Sequence, residues 1–239
     1  AFSSVIGARI MVDTGNVWVG VLTTLAAGAF LGLFNGVFVA LLGFPAFIVT
    51  LSTMWLYRGS AYVYTQGQAI VGLPEKIMSL ALNSFIGIPL IVWLMILVFL
   101  ISHIVLTRTT AGRRIFAVGD NREAARLSGI NVRIVKLAVF VVSGFLAALS
   151  GVILMSRLNS GQPVAGVTFE LSAIAAAVIG GTSLTKGGVG GVVGTLIGAI
   201  FIATLQNGLV ILNVSSFWQQ VFMGVVVLIA VGIDELRKK

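Results

Sequence analysis

The chain has 239 residues, 58% of them hydrophobic and only 9% charged, with a mean hydropathy of +1.11. Soluble domains carry about 25% charged residues, so this composition excludes a water-soluble globular protein and fits a polytopic membrane protein. The net charge of +8 is gathered at the ends of apolar runs, which speaks for membrane topology and against nucleic acid as a partner; zero Cys and a single His, His103, exclude a disulfide framework and a multi-histidine metal centre.

A membrane-spanning helix needs about 20 mostly apolar residues. Residues 1–12, AFSSVIGARIMV, lack the basic start of a signal peptide and read as the end of a span. Residues 17–42 form the next segment and stop at Gly43-Phe44-Pro45; residues 46–64 form a third, shorter and carrying Arg58. Residues 65–87, punctuated by Gly67, Gly72 and Pro74, predict an external loop with room for an interfacial helix. A fourth span covers 89–106 and a fifth 134–155. An external loop at 157–168 contains Gly161-Gln162-Pro163. The Ala-rich segment 169–183 barely reaches across a bilayer, the length of a short span or of a broken or re-entrant one, and broken backbone is tolerated there only when buried in protein or lining a cavity. Residues 189–214 are long and Gly-rich, and residues 217–233 close the chain before Asp234-Glu235-Leu236-Arg237-Lys238-Lys239. The expected fold is therefore an all-α transmembrane bundle with about eight membrane segments in a single domain over 1–239.

Between the fourth and fifth spans lies the only long polar run. Residues 108–136 hold seven of the fifteen basic residues (Arg108, Arg113, Arg114, Arg122, Arg126, Arg133 and Lys136) and the acids Asp120 and Glu123, a local charge of +5. Basic loops stay on the cytoplasmic side. With this loop inside, the later spans alternate so that Lys186 and the C-terminal Arg-Lys-Lys also fall in the cytoplasm. Within the loop, Asp120 and Asn121 are good N-cap residues, Glu123 falls in a first turn where the helix dipole favours an anion, and Gly129 is placed as a C′ glycine. The spacing predicts a two-turn helix from Arg122 to Ser128, too short to stand alone.

The string Glu123-Ala124-Ala125 followed by Gly129, within GDNREAARLSGI, resembles the coupling-loop motif of permeases of ATP-binding-cassette importers. The wider chain resembles the ribose-type sugar permeases, through RLNSGQPVAGVTFELSAIAAAVIGGTSLTKGGVGGVVGTLIGA and on to QNGLVILNVSSFWQQ. The resemblance covers the chain from about Gly15 to its end. Members of that family run longer at the N-terminus. It thus implies ten spans in the full protein, with two helices and part of a third preceding Ala1. It also implies that residues 107–133 are a cytoplasmic coupling loop, with Asp120, Asn121, Arg122, Glu123, Ala124, Ala125, Arg126, Leu127, Ser128 and Gly129 meeting an ATPase. The implied partners are an ATPase subunit with two nucleotide-binding domains that carries the ATP and Mg, a periplasmic sugar-binding protein, and a second permease chain, identical or homologous. The implied location is the lipid of a bacterial inner membrane, with a cytoplasmic C-terminus.

Catalytic groups are not evident. Gly181-Thr182-Ser183-Leu184-Thr185-Lys186-Gly187 superficially suggests a phosphate-binding loop, but that motif needs Gly before the Lys and Ser or Thr after it; here Thr185 precedes and Gly187 follows. Neither an enzyme nor a cofactor site is therefore expected in this chain. The glycine pairs Gly180-Gly181 and Gly187-Gly188 suit a tight turn between helices, with direct ATPase contact as the other reading. Gly28, Gly32 and Gly36, and likewise Gly190, Gly194 and Gly198, place small residues on one helix face, where neighbouring backbones can come close; spans five apart with the same row suit an inverted repeat, and equally the general abundance of Gly in membrane helices.

Polar groups inside spans are costly and usually have a use. Asn35, Gln206 and Asn207 are candidates for a solute path, with Phe47, Phe44 and Trp55 as candidate aromatic lining. Amides can exchange hydrogen bonds with sugar hydroxyls, though an interhelical amide bond explains Gln206-Asn207 equally well. Arg58 and Glu170 fall near the outer face, where each can snorkel or the two can pair. The resulting function is an importer permease passing a ribose-, galactose- or furanose-like monosaccharide. Alternatives are a permease for a nucleoside or quorum signal, and an ion-coupled secondary carrier; for the latter, Asp13, Glu75 and Glu170 all lie at external span ends rather than mid-membrane.

Overall fold

The computed structural model describes residues 1–184 and 186–236, with side chains except at 231 and 233–236. Thr185 and Arg237-Lys238-Lys239, the last of which carry the predicted cytoplasmic charge, lie outside the described residues. In chain order the elements are α1 (Phe2–Thr14), α2 (Val17–Gly36) prolonged by a π-turn (Val37–Leu41), α3 (Ala46–Thr65), a 3₁₀ turn (Glu75–Ile77), α4 (Ser79–Leu82), and a hairpin of β1 (Ser84–Phe85) with β2 (Ile88–Pro89). Then come α5 (Leu90–Arg108), α6 (Thr110–Asp120), α7 (Arg122–Leu127), α8 (Val132–Leu158), α9 (Phe169–Ile179), α10 (Val192–Ile211) and α11 (Ser216–Leu236). Every apolar segment read from the sequence is helical.

Val17–Leu41, Leu90–Arg108, Val132–Leu158 and Val192–Ile211 are each long and apolar enough to cross a membrane. The eleven residues of α9 rise about 16 Å at 1.5 Å per residue, roughly half of the ~30 Å hydrocarbon core, so α9 alone does not reach across. It stops four residues before the predicted end because Gly180, Gly181 and the polar residues after them turn the chain.

The packing is inside-out relative to a soluble protein. Helix α5 has no buried residue and leaves Ile96, Leu97, Leu100 and Ile101 exposed. Helix α2 buries Gly20, Thr24, Gly28, Gly32 and Gly36 while Trp18, Leu22 and Phe30 face outward. Lipid tails remove the hydrophobic drive between helices, so close backbone packing through small residues takes its place.

The chain divides into two compact units. The first comprises residues 1–95 and 132–166. Its spine is the pairing of α2 with α8: a Cβ added at Gly28 would overlap Ala148, and one at Gly32 would overlap the Phe140 carbonyl. The predicted external loops close one end. Ile77 is fully buried among Ala8, Met11, Val152 and Met155, Ser156 Oγ donates to the Ile77 carbonyl at 2.8 Å, and Ile70 and Gly161 exchange backbone hydrogen bonds of 2.9 Å.

The second unit comprises residues 96–131 and 167–239. Helix α9 is held by α10 and α11 around Ala175, Ala176, Ile202 and Met223. The glycine row predicted for α10 is shorter than its sequence spacing suggests. Gly194 lies against the Gly180 carbonyl and Gly198 against the Ala176 carbonyl, but Gly190 precedes the helix, at φ +143° in the loop.

Candidate functional site

The basic segment forms two sharp corners. At the first, Thr109 stands between α5 and α6. Its Oγ1 donates to the Val105 carbonyl at 2.6 Å and accepts from Gly112 N at 3.3 Å, finishing one helix and starting the next. Gly112 makes the corner possible, since a Cβ there would overlap the Leu106 carbonyl. Helix α6 differs from the sequence expectation, which has residues 107–121 as loop ahead of a single short helix. The signal was present, with Thr109 as cap and Ala111, Ile115 and Val118 at the i, i+4, i+7 spacing of one helix face, but the basic residues between them masked it. Val118 is buried while Arg113 and Arg114 face outward.

At the second corner Asn121 is extended, with φ −144° and ψ 106°. Its Oδ1 accepts from Glu123 N and Ala124 N, both at 3.0 Å. Of the two candidate caps it is therefore Asn121 that caps α7; Asp120 is the last residue of α6. The far end of α7 closes as a Schellman motif. Ile130 N donates to the Ala125 carbonyl and Gly129 N to the Arg126 carbonyl, each at 3.0 Å, and Gly129 adopts φ +81°. Ser128 Oγ adds a bond to the Ala124 carbonyl at 2.9 Å. Six residues cannot sustain a helix on propensity; here both ends are closed by hydrogen bonds.

The outward face of α7 is polar with one exception. Glu123 and Arg126 approach to 3.4 Å with both side chains about two-thirds exposed, a pair of little energetic weight. Ala125 is buried, while Leu127, two residues further and so on the opposite face of the helix, is 79% exposed. Leu127 thus stands exposed on a charged helix, flanked by Arg122 and Arg126. Nearby, the α9–α10 loop is laid against the end of α6. Gly187 touches Gly119 so closely that a Cβ on it would overlap the Gly119 carbonyl, and a Cβ on Gly119 would come within 2.6 Å of Gly188 N.

The candidate path residues divide between the units. Asn35 lies on α2 beside Tyr57 of α3: Tyr57 Oη is 3.1 Å from the Leu31 carbonyl and 3.3 Å from Asn35 Oδ1. One phenolic proton is shared by two acceptors, and the Asn35 amide keeps its NH2 donors. Phe34, Phe38 and Tyr57 form a chain of rings, with centroids 5.0 Å apart for Phe34–Phe38 and 6.3 Å for Phe34–Tyr57, and Phe44 extends it at 5.9 Å from Phe38. Tyr57 was not singled out from sequence. Phe47, in the first turn of α3, is 76% exposed and is not part of this ring chain. In the other unit, Gln206 Nε2 donates to Ser172 Oγ of α9 at 3.3 Å, the interhelical bond that was the alternative reading of that pair. Asn207 is exposed. Among the described residues no His, Cys, Asp or Glu cluster could hold a metal.

Apolar spans, internal packing through small residues and a capped basic corner define an all-α, polytopic membrane protein. Over residues 1–231 the chain matches the family described as the permease component of branched-chain amino acid transport systems. It is 48% identical over 214 residues to the ribose import permease protein RbsC of Haemophilus influenzae, covering 88% of this chain and 66% of that protein. It is 44% identical over 242 residues to RbsC of Escherichia coli K12, covering 100% and 75%. It is 38% identical over 239 residues to the L-arabinose transport system permease protein AraH of the same strain, covering 100% and 73%. No solved structure matches the chain. The chain belongs to this family of transport-system permeases, and spans just under two thirds of the length of the Haemophilus influenzae relative.

Proposed function

We propose that this chain is the membrane permease subunit of an ATP-binding-cassette importer for a monosaccharide of the pentose kind. The observation that carries the reading is its 38–48% identity, over 88% or more of its length, with permeases named for ribose and L-arabinose import. ATP and Mg belong to a separate ATPase subunit with two nucleotide-binding domains. A periplasmic binding protein delivers the sugar, and a second permease chain completes the pathway. The protein sits in a bacterial inner membrane with residues 107–133 and the C-terminus in the cytoplasm, a topology supported by the basic charge of that loop.

In this reading α7 is the coupling helix. A transmitter must move as a body, and α7 is closed at both ends by Asn121 and by the Gly129 turn. Leu127 and the charges around it offer the ATPase a small apolar knob in a polar rim. The ATPase pair closing on ATP then displaces α7, and the chain carries that displacement directly into α6 and α8. Within the membrane, Asn35 with Tyr57, Phe34 and Phe38 offers hydrogen-bonding and ring-stacking groups, the two chemistries a sugar presents. So few polar groups make sugar selectivity chiefly the binding protein's task.

The test is reconstitution in liposomes of the permease, its ATPase and its binding protein, with uptake of radiolabelled ribose, arabinose, galactose and a nucleoside measured in parallel. ATP-dependent uptake of a pentose supports the reading. Uptake of the nucleoside alone moves the substrate out of the sugars, and uptake driven by an ion gradient without ATPase overturns the class.

A further inference from the structure

We propose that the α9–α10 turn around Gly187-Gly188 is a second arm of the coupling element, gripping the end of α6 so that displacement of α7 also drives the α9–α10 hairpin. The proposal rests on the assignment of α7 as the coupling helix. By chain connection alone, α7 moves only α6 and α8, and α9 and α10 have no covalent part in the motion.

The grip is backbone on backbone and reciprocal. A Cβ at Gly187 would overlap the Gly119 carbonyl, a Cβ at Gly119 would stand 2.6 Å from Gly188 N, and a Cβ at Gly188 would stand 2.7 Å from Asp120 Cβ and 3.0 Å from the Phe116 carbonyl. Glycines on both surfaces are what let two backbones approach this far. The contact falls at Gly119 and Asp120, immediately before the capping residue Asn121, so it holds the base on which α7 pivots.

The turn is also firmly joined to its own hairpin. Lys186 N donates to Ser183 Oγ at 3.0 Å, and Gly190 packs against the Thr182 side chain. Beyond it, Gly194 meets Gly180 and Gly198 meets Ala176 without intervening side chains, while Gln206 bonds Ser172 across the same helix pair. A series of close contacts therefore links the residues before Asn121 to α10 as far as Gln206, the neighbour of Asn207. Interfaces of this density are displaced as units rather than deformed continuously. The arm gives the glycines of the turn a positioning role and makes ATPase contact unnecessary to explain them.

The experiment uses the assembled importer in proteoliposomes and reads sugar uptake per ATP hydrolysed. Gly187→Ala and Gly119→Ala each force the two backbones apart and are expected to lower that ratio about tenfold, within the 5–150-fold range of ordinary coupling between sites, with ATPase binding retained. Gly191→Ala is the control: it lies in the same loop, extended at φ −170°, with nothing within 4 Å of its added Cβ. It should transport as the parent does. If Gly187→Ala and Gly119→Ala keep the parent ratio while Gly129→Val loses it, the arm is refuted and α7 stands as coupling helix. If Gly129→Val also keeps the parent ratio, the coupling assignment itself has failed. Should the alanine variants not assemble, hydrogen exchange on the unmodified importer decides. Adding ATP should change protection in peptides covering 122–130 and 183–191 together; a response confined to 122–130 overturns the proposal, and no response in either overturns both.

Discussion

Replacing Gly129 by valine perturbs α7 through backbone conformation alone. Gly129 sits at φ +81° with nothing within 4 Å of an added Cβ, so no steric clash complicates the result. An L-residue held in the left-handed region costs roughly 1–2 kcal/mol, and a β-branched one lies at or beyond the upper end. The chain can escape that strain by unwinding the cap. It then gives up two backbone hydrogen bonds, Ile130 N to Ala125 O and Gly129 N to Arg126 O, worth about 0.5–1.5 kcal/mol each. Both routes cost on the order of 2 kcal/mol, about a 30-fold shift in a local equilibrium when 1.4 kcal/mol is tenfold. A six-residue helix has little reserve against that. The expected outcome is uncoupling: the binding protein docks, the ATPase hydrolyses, and uptake per ATP falls by about tenfold or more. Gly129→Asn is the discriminating control, because asparagine tolerates the left-handed region; it should retain most of the coupling. ATPase rate and labelled sugar uptake are measured in the same proteoliposomes. Parent-like coupling in Gly129→Val, or equal loss in Gly129→Asn and Gly129→Val, would refute the reasoning from the cap.

Asn121→Ala removes the acceptor for Glu123 N and Ala124 N and should loosen α7 by about 0.5–2 kcal/mol. It should slow coupled uptake more than Glu123→Ala, whose partner Arg126 is largely exposed; the reverse order would mean that Glu123 acts on the ATPase rather than on the helix. Asn207→Leu should lower transport with the ATPase still bound, whereas Gln206→Leu, which breaks the bond to Ser172, should first destabilise the hairpin, read as a lower melting temperature in detergent; unchanged uptake in Asn207→Leu removes that residue from the path. Gly32→Leu drives a side chain into the Phe140 carbonyl, an overpacking of about 1–3 kcal/mol or more, and should reduce the yield of monodisperse protein, an effect that a lipid-facing Gly32 would not produce. In right-side-out vesicles, Ser128→Cys in this cysteine-free chain should react with an impermeant maleimide only after permeabilisation; labelling of intact vesicles would invert the topology.

The sequence by itself determined the positions of the apolar helices, because hydropathy over about 20 residues is a local property that lipid enforces on each segment separately. It also marked both ends of α7, at Gly129 and at the Asp120-Asn121 pair of which the structure uses Asn121, since caps act on amides and carbonyls a few residues away. It did not determine α6, whose apolar face at Ala111, Ile115 and Val118 is interrupted by arginines and becomes evident only once Thr109 and Gly112 fold it back on the end of α5. Nor did it decide what the glycines touch. Gly187 and Gly119 are far apart in the chain, as are Gly32 and Phe140, and a residue without a side chain carries no pattern that names its partner. Asn35 and Gln206 read alike in the sequence, each as an amide within an apolar span. Tertiary structure separated them, giving Gln206 to Ser172 of the neighbouring helix and leaving the Asn35 amide donors beside Tyr57. The physical reason is the same in each case: capping and hydropathy are settled over a few residues, whereas close backbone approach and hydrogen-bond partnership depend on which distant segments the fold brings together.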